Sequence, residues 1–412
     1  MTIIGADICN ACKSRNVQCV YDFGRLPIAN ELLPSNKQEP DTFPLKFSIC
    51  EDCLLGQVGQ AIPPTRLFED YRYMSSISRM FLDHCRELSS NIAKFIRSRE
   101  NSGYVLEIAS NDGYLMDMLI KKGVDCLGIE PAKNIAAIAS NKGHNVISEF
   151  FGTNLAKLLA TRYGKPRVIV ANNVLAHVPD LHDFLNGLSI LSSEDTVIII
   201  ENPSLPSLLQ NTQFDSIYHE HFSYLSAAFM SKFVTNFGLK IINLDTFPIH
   251  GGTNRYYLKR MSSRKEPTNI RIDKICDLEN SIIWEYVKKP ELFKNQIENI
   301  RERTYAWMSE RSKGSTYVGF GAAAKASTFL STFGLGTEFV EVIADSSPEK
   351  QGRFISLNSI PIVSTEQAAE FIPSEVVVFT WNILPEIQQV VSAKFPGRPK
   401  CRTFISNTRE ES

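Results

Sequence analysis

The stretch YVLEIASNDGYLMDMLIKKGVDCLGIEP, residues 104–131, decides the fold. VLEI has the length and apolar character of a buried strand, a tight turn follows at Asn111, Asp112 and Gly113, and the next residues repeat apolar side chains at helical spacing. CLGIEP then reads as a second strand, so the unit is a βαβ start of the kind that builds a parallel α/β sheet. Glu107 closes the first strand and Glu130 the second, where the acid of a dinucleotide fold accepts ribose hydroxyls. The turn E-I-A-S-N-D-G lacks the G-x-G-x-x-G spacing that lets a backbone close on a pyrophosphate, which makes NAD a poor fit. It suits S-adenosylmethionine, a ligand without pyrophosphate, as an alanine and serine variant of E/D-x-G-x-G. A structural α/β turn is the other reading. The expected cofactor residues here are Glu107, Ala109, Ser110, Asn111, Asp112, Gly113, Glu130 and Pro131.

Working outward, a helix is expected over 80–99, and strands at HNVISEF, PRVIVANNV and DTVIIIENP, followed by the pair LKIINLDTF and TNRYYLKRM. HNVISEF ends at Phe150, which joins the cofactor set with Asn172. ANNVLAHV places Asn172, Asn173 and His177 at the carboxyl edge of the sheet, where open α/β sheets bind ligands. A charged helical run over 273–311 connects to a second α/β pattern: STYVGFGAAAKAS, then VEVIAD with its loop SSPEKQG, then SEVVVFTWN each carry a strand. Gly319 and Gly321 are expected to open a helix whose N-terminus could take phosphate, with Lys325 and Lys350 adding positive charge on the same edge. Two solvated lysines are the alternative.

Nine cysteines are too few to scaffold 412 residues with disulfides, but Cys9 with Cys12 and Cys50 with Cys53 form two C-x2-C knuckles. Four thiolates complete a tetrahedral zinc site with no open position, so the expected metal is structural and holds a module too short to build its own core. Hydrophobic residues make up 43% and charged residues 22%, an ordinary globular balance, and the net charge of -1 provides no field to gather nucleic acid. No apolar run approaches the ~18 residues of a membrane span, and the N-terminus lacks the basic and apolar regions of a signal peptide, so a cytoplasmic location is expected.

FDSIYHEHFSYLS, residues 214–226, gathers Tyr218, His219, Glu220, His221, Phe222 and Tyr224. Metal binding would want a third ligand at helical spacing, as in H-E-x-x-H, and none follows. A polar structural loop and an acid/base site are the remaining readings. A histidine beside a carboxylate suits proton abstraction at neutral pH.

The ordered motifs CNAC, GRLPIAN, FPLKFSICEDC, DYRYMSS, EIASNDGYL, FDSIYHEHFSY, HGGTNR, GFGAAAKAS, SSPEKQG and WN span nearly the whole chain. Together they resemble the sugar C-methyltransferases that act on nucleotide-linked deoxysugars, above all the 3-C-methyltransferases of dTDP-4-keto-6-deoxysugars. The resemblance implies an α/β fold in three parts: a zinc-binding module over 1–78, a Rossmann-like methyltransferase sheet over 79–262 and a C-terminal Rossmann-like domain over 263–412. It implies S-adenosylmethionine and structural zinc as cofactors, and a monomer with a dTDP-linked ketosugar as partner. By motif it makes His221 the base oriented by Glu220, and surrounds the sugar with Tyr218, His177 and a tyrosine of DYRYMSS, Tyr73 or Tyr71. Tyr218 or His177 would stabilise the oxyanion. Asn173, His250, Lys325, Lys350 and Asn382 are the implied substrate contacts. Methyl transfer to oxygen or nitrogen, or a non-catalytic nucleotide-sugar or cofactor sensor, are the competing functions.

Overall fold

The computed structural model describes residues 7–59, 62–68, 78–98, 103–261 and 269–405. Its strands are β1 (Val17–Pro27), β2 (Thr42–Cys50), β3 (Gly56–Val58), β4 (Val105–Ile108), β5 (Cys126–Ile129), β6 (Val146–Ile147), β7 (Val168–Asn172) and β8 (Val197–Pro203). They continue with β9 (Ser223–Tyr224), β10 (Leu239–Phe247), β11 (Thr253–Arg260), β12 (Tyr317–Phe320), β13 (Ile343–Ala344), β14 (Ile362–Val363), β15 (Glu375–Val378) and β16 (Lys400–Arg402). These form an α/β molecule with three sheets: β1-β2-β3-β9, β10-β11-β8-β7-β4-β5-β6 and β14-β13-β12-β15-β16.

The central sheet is parallel except that β11 runs antiparallel to both β8 and β10. Strand order reverses between β4 and β7, whose residues are wholly buried, as a strand covered by helices on both faces requires. One cover is the helix Arg79–Arg97, where the Ser78 side chain accepts from the Phe81 amide and Phe81, Cys85, Leu88, Ile92 and Ile96 form its buried stripe. HNVISEF yields only the two-residue β6, an edge strand, because His144 turns instead to Asp117 at 2.9 Å.

The C-terminal sheet is parallel throughout and has five strands where the sequence marks three. β14 and β16 are too short to leave a periodic signal. Gly319 does not open the helix as expected. It lies within β12, where a Cβ would meet Ile343 and Phe379 at 2.8 Å each, and the helix Ala324–Phe333 begins after Gly321, which has φ +90°. The helical run before this sheet is two helices, Ile270–Lys288 and Glu291–Ser309, divided at Pro290, which cannot continue the first ladder.

The small N-terminal sheet borrows its core from its neighbours. Phe47, Ile49 and Tyr224 bury against Ile283, Phe293 and Ile297 of the two connecting helices, while Cys9, Cys50 and Leu55 join the core under the central sheet. β9, from the YHEH segment, pairs antiparallel with β3, so that segment is sewn into the first sheet. Among the described residues no helix is long and apolar enough to cross a membrane.

Candidate active site

The two knuckles are built alike. The Cys9 carbonyl accepts from the Lys13 amide at 3.1 Å and the Cys50 carbonyl from the Leu54 amide at 2.9 Å, with Lys13 and Leu54 both left-handed at φ 62° and 63°. This brings the sulfurs of Cys9, Cys12, Cys50 and Cys53 within 4.8 Å of one another, with 3.5 Å between Cys9 and Cys53 and between Cys12 and Cys50. Such spacing fits a zinc ion with sulfur at ~2.3 Å, and four sulfurs leave no position for a reactant. No other group of three or more potential ligands converges among the described residues, so the HEH run has no metal geometry.

A cavity of about 790 Å³ opens where all three parts of the chain meet, within the usual range for a small-molecule site. Its central wall is the β4–β7 switch point. The turn after β4 is left-handed at Ala109 (φ 55°), Asn111 (φ 50°) and Gly113 (φ 82°), so the positions where E/D-x-G-x-G carries glycine do need that conformation here. Holding Ala and Asn there costs of order 1–2 kcal/mol each, less for Asn, and such strain gathers at ligand sites. Asn173 (φ 52°) and His250 (φ 55°), both on the cavity wall, are left-handed as well.

Glu130 at the end of β5 accepts from the amides of Asn111 and Ala132, each at 2.9 Å, which fixes its carboxylate on the cavity wall beside Pro131, Phe150 and Asn172. Burial raises its pKa and the two amides oppose the shift. Ala109 and Asn111 also line the cavity, but Glu107, Ser110, Asp112 and Gly113 do not; they shape the turn from behind. A Cβ at Gly113 would lie 2.5 Å from the His144 ring, and Asp112 faces Lys142 at 3.5 Å. Glu107 is fully buried, and neither carboxylate oxygen has a hydrogen-bond partner among the described residues. Burial first, then the charges of Asp112 and Glu130, push its pKa well up. A crevice of anionic groups with unsatisfied buried oxygens behind it fits a cationic ligand such as the sulfonium cofactor.

Opposite stand three histidines. His221 donates through Nδ1 to the Ser216 carbonyl at 2.9 Å, which leaves Nε2 as the acceptor of the Tyr218 hydroxyl at 2.9 Å. His177, on the turn after β7, donates through Nδ1 to the Glu220 carbonyl at 2.7 Å, and its ring lies 4.7 Å from that of His221. Burial drives the pKa of His221 well below the ordinary value, helped by His177, and takes His177 and His250 to about 4. All three are neutral near pH 7.

Two expected roles are corrected here. Glu220 does not orient His221: its Oε1 accepts from the Asn30 amide at 3.2 Å and the Asn30 side chain at 3.0 Å, and it lies off the cavity wall. The Ser216 carbonyl does the orienting. His177 does not offer a proton to an oxyanion, because its only N–H is committed to Glu220 and neutral Nε2 is an acceptor. His219 points away, toward the Phe43 carbonyl at 3.3 Å. Tyr73 and Tyr71 lie outside the described residues.

The third wall carries Lys325, Lys350 and Asn382, the expected residues of the C-terminal sheet, with Asp345. Lys350 reaches the Ala322 carbonyl at 3.0 Å and Asp345 at 3.3 Å. Lys325 donates to the Ser216 hydroxyl, faces Asp215 at 4.0 Å and sits 4.4 Å over the Trp381 ring. Burial lowers its pKa and Asp215 opposes this. Asn30, Asp215, Trp381 and Asp345 were not singled out in the sequence. Only Asp345 left a trace there, as an acid ending the second strand of its sheet.

A seven-stranded sheet with one antiparallel strand, an acid-ended second strand and an anionic crevice at the switch point define an S-adenosylmethionine-dependent methyltransferase. Family models agree: residues 9–68 match a zinc binding domain, 78–244 a methyltransferase domain and 248–395 a C-methyltransferase C-terminal domain. The chain is 30% identical over 389 residues to the C-methyltransferase NovU of Streptomyces niveus, covering 92% of this chain and 91% of that protein. It belongs to the S-adenosylmethionine-dependent C-methyltransferases with an N-terminal zinc module. Solved structures with similarity include magnesium protoporphyrin IX methyltransferase (ChlM) from Synechocystis PCC 6803 with bound SAM, at 14% identity and TM-score 0.34 over 48% of this chain and 89% of that one. A SAM dependent methyltransferase from Archaeoglobus fulgidus is 15% identical at TM-score 0.34, over 50% and 93%.

Proposed function

We propose that the chain methylates a carbon next to the ketone of a nucleotide-linked 4-keto-deoxysugar, C3 by preference, with dTDP the expected carrier. The observation that carries this reading is the His221 ring: its Nδ1–H is tied to the Ser216 carbonyl, so Nε2 faces a cavity shared by the cofactor crevice and the lysine-bearing edge. A C–H beside a ketone is acidic because its anion is an enolate, and Nε2 of a neutral histidine can take that proton. The Tyr218 hydroxyl, which occupies Nε2 in this state, turns to the ketone oxygen and donates to it as charge develops, vacating the base in the same movement. His177 Nε2, an acceptor, receives a sugar hydroxyl or amine. When bound, S-adenosylmethionine supplies the electrophilic methyl. Asn173, His250, Asn382 and Lys350 contact the substrate, Tyr73 reaches in from the first module, and the limits after residues 78 and 262 divide the three parts.

Incubating the full-length protein with methyl-labelled S-adenosylmethionine and a panel of dTDP- and UDP-linked 4-ketosugars tests this. The expected product carries its label on carbon. Label found only on oxygen or nitrogen, or cofactor binding without transfer to any of the panel, overturns it.

A further inference from the structure

The base and the nucleotide edge are joined by a chain of buried contacts that proton abstraction does not require. Ser216, whose carbonyl fixes the His221 tautomer, belongs to a short turn, Phe214–Ser216. That turn is docked on the C-terminal sheet rather than on its own. Phe214 packs against Phe329 and Phe333, with ring centroids at 5.9 and 5.2 Å. Asp215, fully buried, accepts from the Trp381 indole N–H at 2.7 Å through Oδ2, while its Oδ1 has no hydrogen-bond partner and faces Lys325 at 4.0 Å. The Lys325 ammonium donates to the Ser216 hydroxyl, lies over the Trp381 ring, and still reaches the cavity wall. An ammonium has three donors, and these contacts leave one for a ligand oxygen.

We propose that Lys325, Asp215 and Trp381 form a positioning relay, through which an anionic group bound at the C-terminal edge sets the orientation of His221. This rests on the reading of His221 as the base. Lys325 then has a task beyond binding phosphate: a diphosphate oxygen that engages its third donor draws on the same nitrogen that holds Ser216, and Ser216 holds the base. Binding energy from the non-reacting part of the substrate is thereby used at the reacting carbon, a coupling that appears in kcat as well as KM. None of the three residues touches the reacting atoms, and a misplacement of about 1 Å in the base is enough to cost about 100-fold in rate.

The test uses full-length protein with ¹⁵N-labelled histidine, in which the His221 ring signals are assigned by their loss in His221→Asn. In the unsubstituted protein these signals report one neutral Nδ1–H tautomer, and adding dTDP or inorganic pyrophosphate shifts them. In Lys325→Met and Asp215→Asn the ring shows mixed tautomers, the response to dTDP is lost although calorimetry still detects dTDP, and kcat on the active ketosugar falls about 10- to 100-fold with cofactor KM within about twofold. Trp381→Phe, which removes only the indole bond to Asp215, gives the same pattern more weakly and serves if Asp215→Asn does not fold. Unchanged His221 signals in the variants, or no response to either anion in the unsubstituted protein, overturn the relay. Full turnover in His221→Asn instead overturns the base assignment, which separates the two failures.

Discussion

The two large sheets carry the same device for opposite electrostatics. In the central sheet Glu130 ends the second strand and accepts from the amides of Asn111, in the turn after the first strand, and Ala132, two residues on. In the C-terminal sheet Asp345 does the same with Ala322 and Ser347, at 2.8 and 2.9 Å. Each acid stands beside the point where strand order reverses, β4/β7 in one sheet and β12/β15 in the other. The surroundings differ. Behind Glu130 lie Glu107 and Asp112, with one lysine, Lys142, held on Asp112, whereas Asp345 is met by Lys350 and the turn beside it carries Lys325. The first crevice favours a cation and the second tolerates an anion. The sheet fixes where a ligand lies, and the side chains on its turns decide what charge that ligand has.

His221 sits on the seam between these crevices, and its loss is the largest effect expected. His221→Asn should lower turnover by about 10² to 10⁴, the range of general-base catalysis, while calorimetry finds S-adenosylmethionine binding nearly unchanged. A joint loss of turnover and cofactor affinity would mean the seam belongs to the cofactor crevice rather than lying between the two. Exchange of the sugar C3 hydrogen with deuterated water should disappear in the same variant if the unsubstituted protein shows it.

Glu220 ties the seam to the N-terminal module, and burial raises its pKa to about 7 from 4.5. The folded state therefore binds this proton more tightly than the unfolded state. Its stabilising share is complete below about pH 4.5, declines as pH rises, and is gone above about pH 7, a swing of about 3 kcal/mol at most. Glu220→Gln keeps an acceptor for Asn30 and removes the titration. The difference in melting temperature between variant and unsubstituted protein should grow in favour of the variant from pH 5 to pH 8. A constant difference would place Glu220 in contact with water and outside this argument.

What the sequence revealed and concealed follows the same division. The central turn was legible because its chemistry is local: apolar runs bound it, and Ala109, Asn111 and Gly113 occupy alternate left-handed positions within one loop. The zinc knuckles were legible for the same reason. Adjacency misled at Glu220, since neighbouring residues of an extended segment face opposite sides, and its true partner Asn30 lies 190 residues away. Asp215 meets Trp381 across 166 residues, and His221 is oriented by a main-chain carbonyl, which no side-chain pattern announces. Strands β9, β14 and β16 have two or three residues each and exist only because a neighbour pairs with them.

A test confined to the central crevice comes next in size. Glu130→Ala should weaken S-adenosylmethionine by about 1.5–3 kcal/mol, the worth of a hydrogen bond to a charged group, and leave dTDP binding as it was. Because the same carboxylate secures two amides, the variant also loosens the turn, so the loss belongs at the upper end of that range. Unchanged cofactor affinity would move the ribose contact elsewhere on the wall.

The smallest effect belongs to Lys350, and it examines the anionic half of the comparison. The ammonium already has the Asp345 carboxylate at 3.3 Å and the Ala322 carbonyl at 3.0 Å, so much of its charge is met before any ligand arrives. Removing it in Lys350→Met takes away a cation but also leaves Asp345 with two amides and no counter-charge, which makes the edge more negative. Both changes disfavour an anion, yet neither removes Lys325. The expected loss for dTDP is therefore about 0.5–1 kcal/mol, comparable to a partly solvated ion pair, and it should shrink as salt is raised. Calorimetry with dTDP at low and high salt checks this, with S-adenosylmethionine titrated into the same variant as the control. A loss beyond tenfold would make Lys350 a direct phosphate ligand whose bond to Asp345 breaks on binding. A change in cofactor affinity of similar size would show that the two crevices share one field, and the division between them would fail.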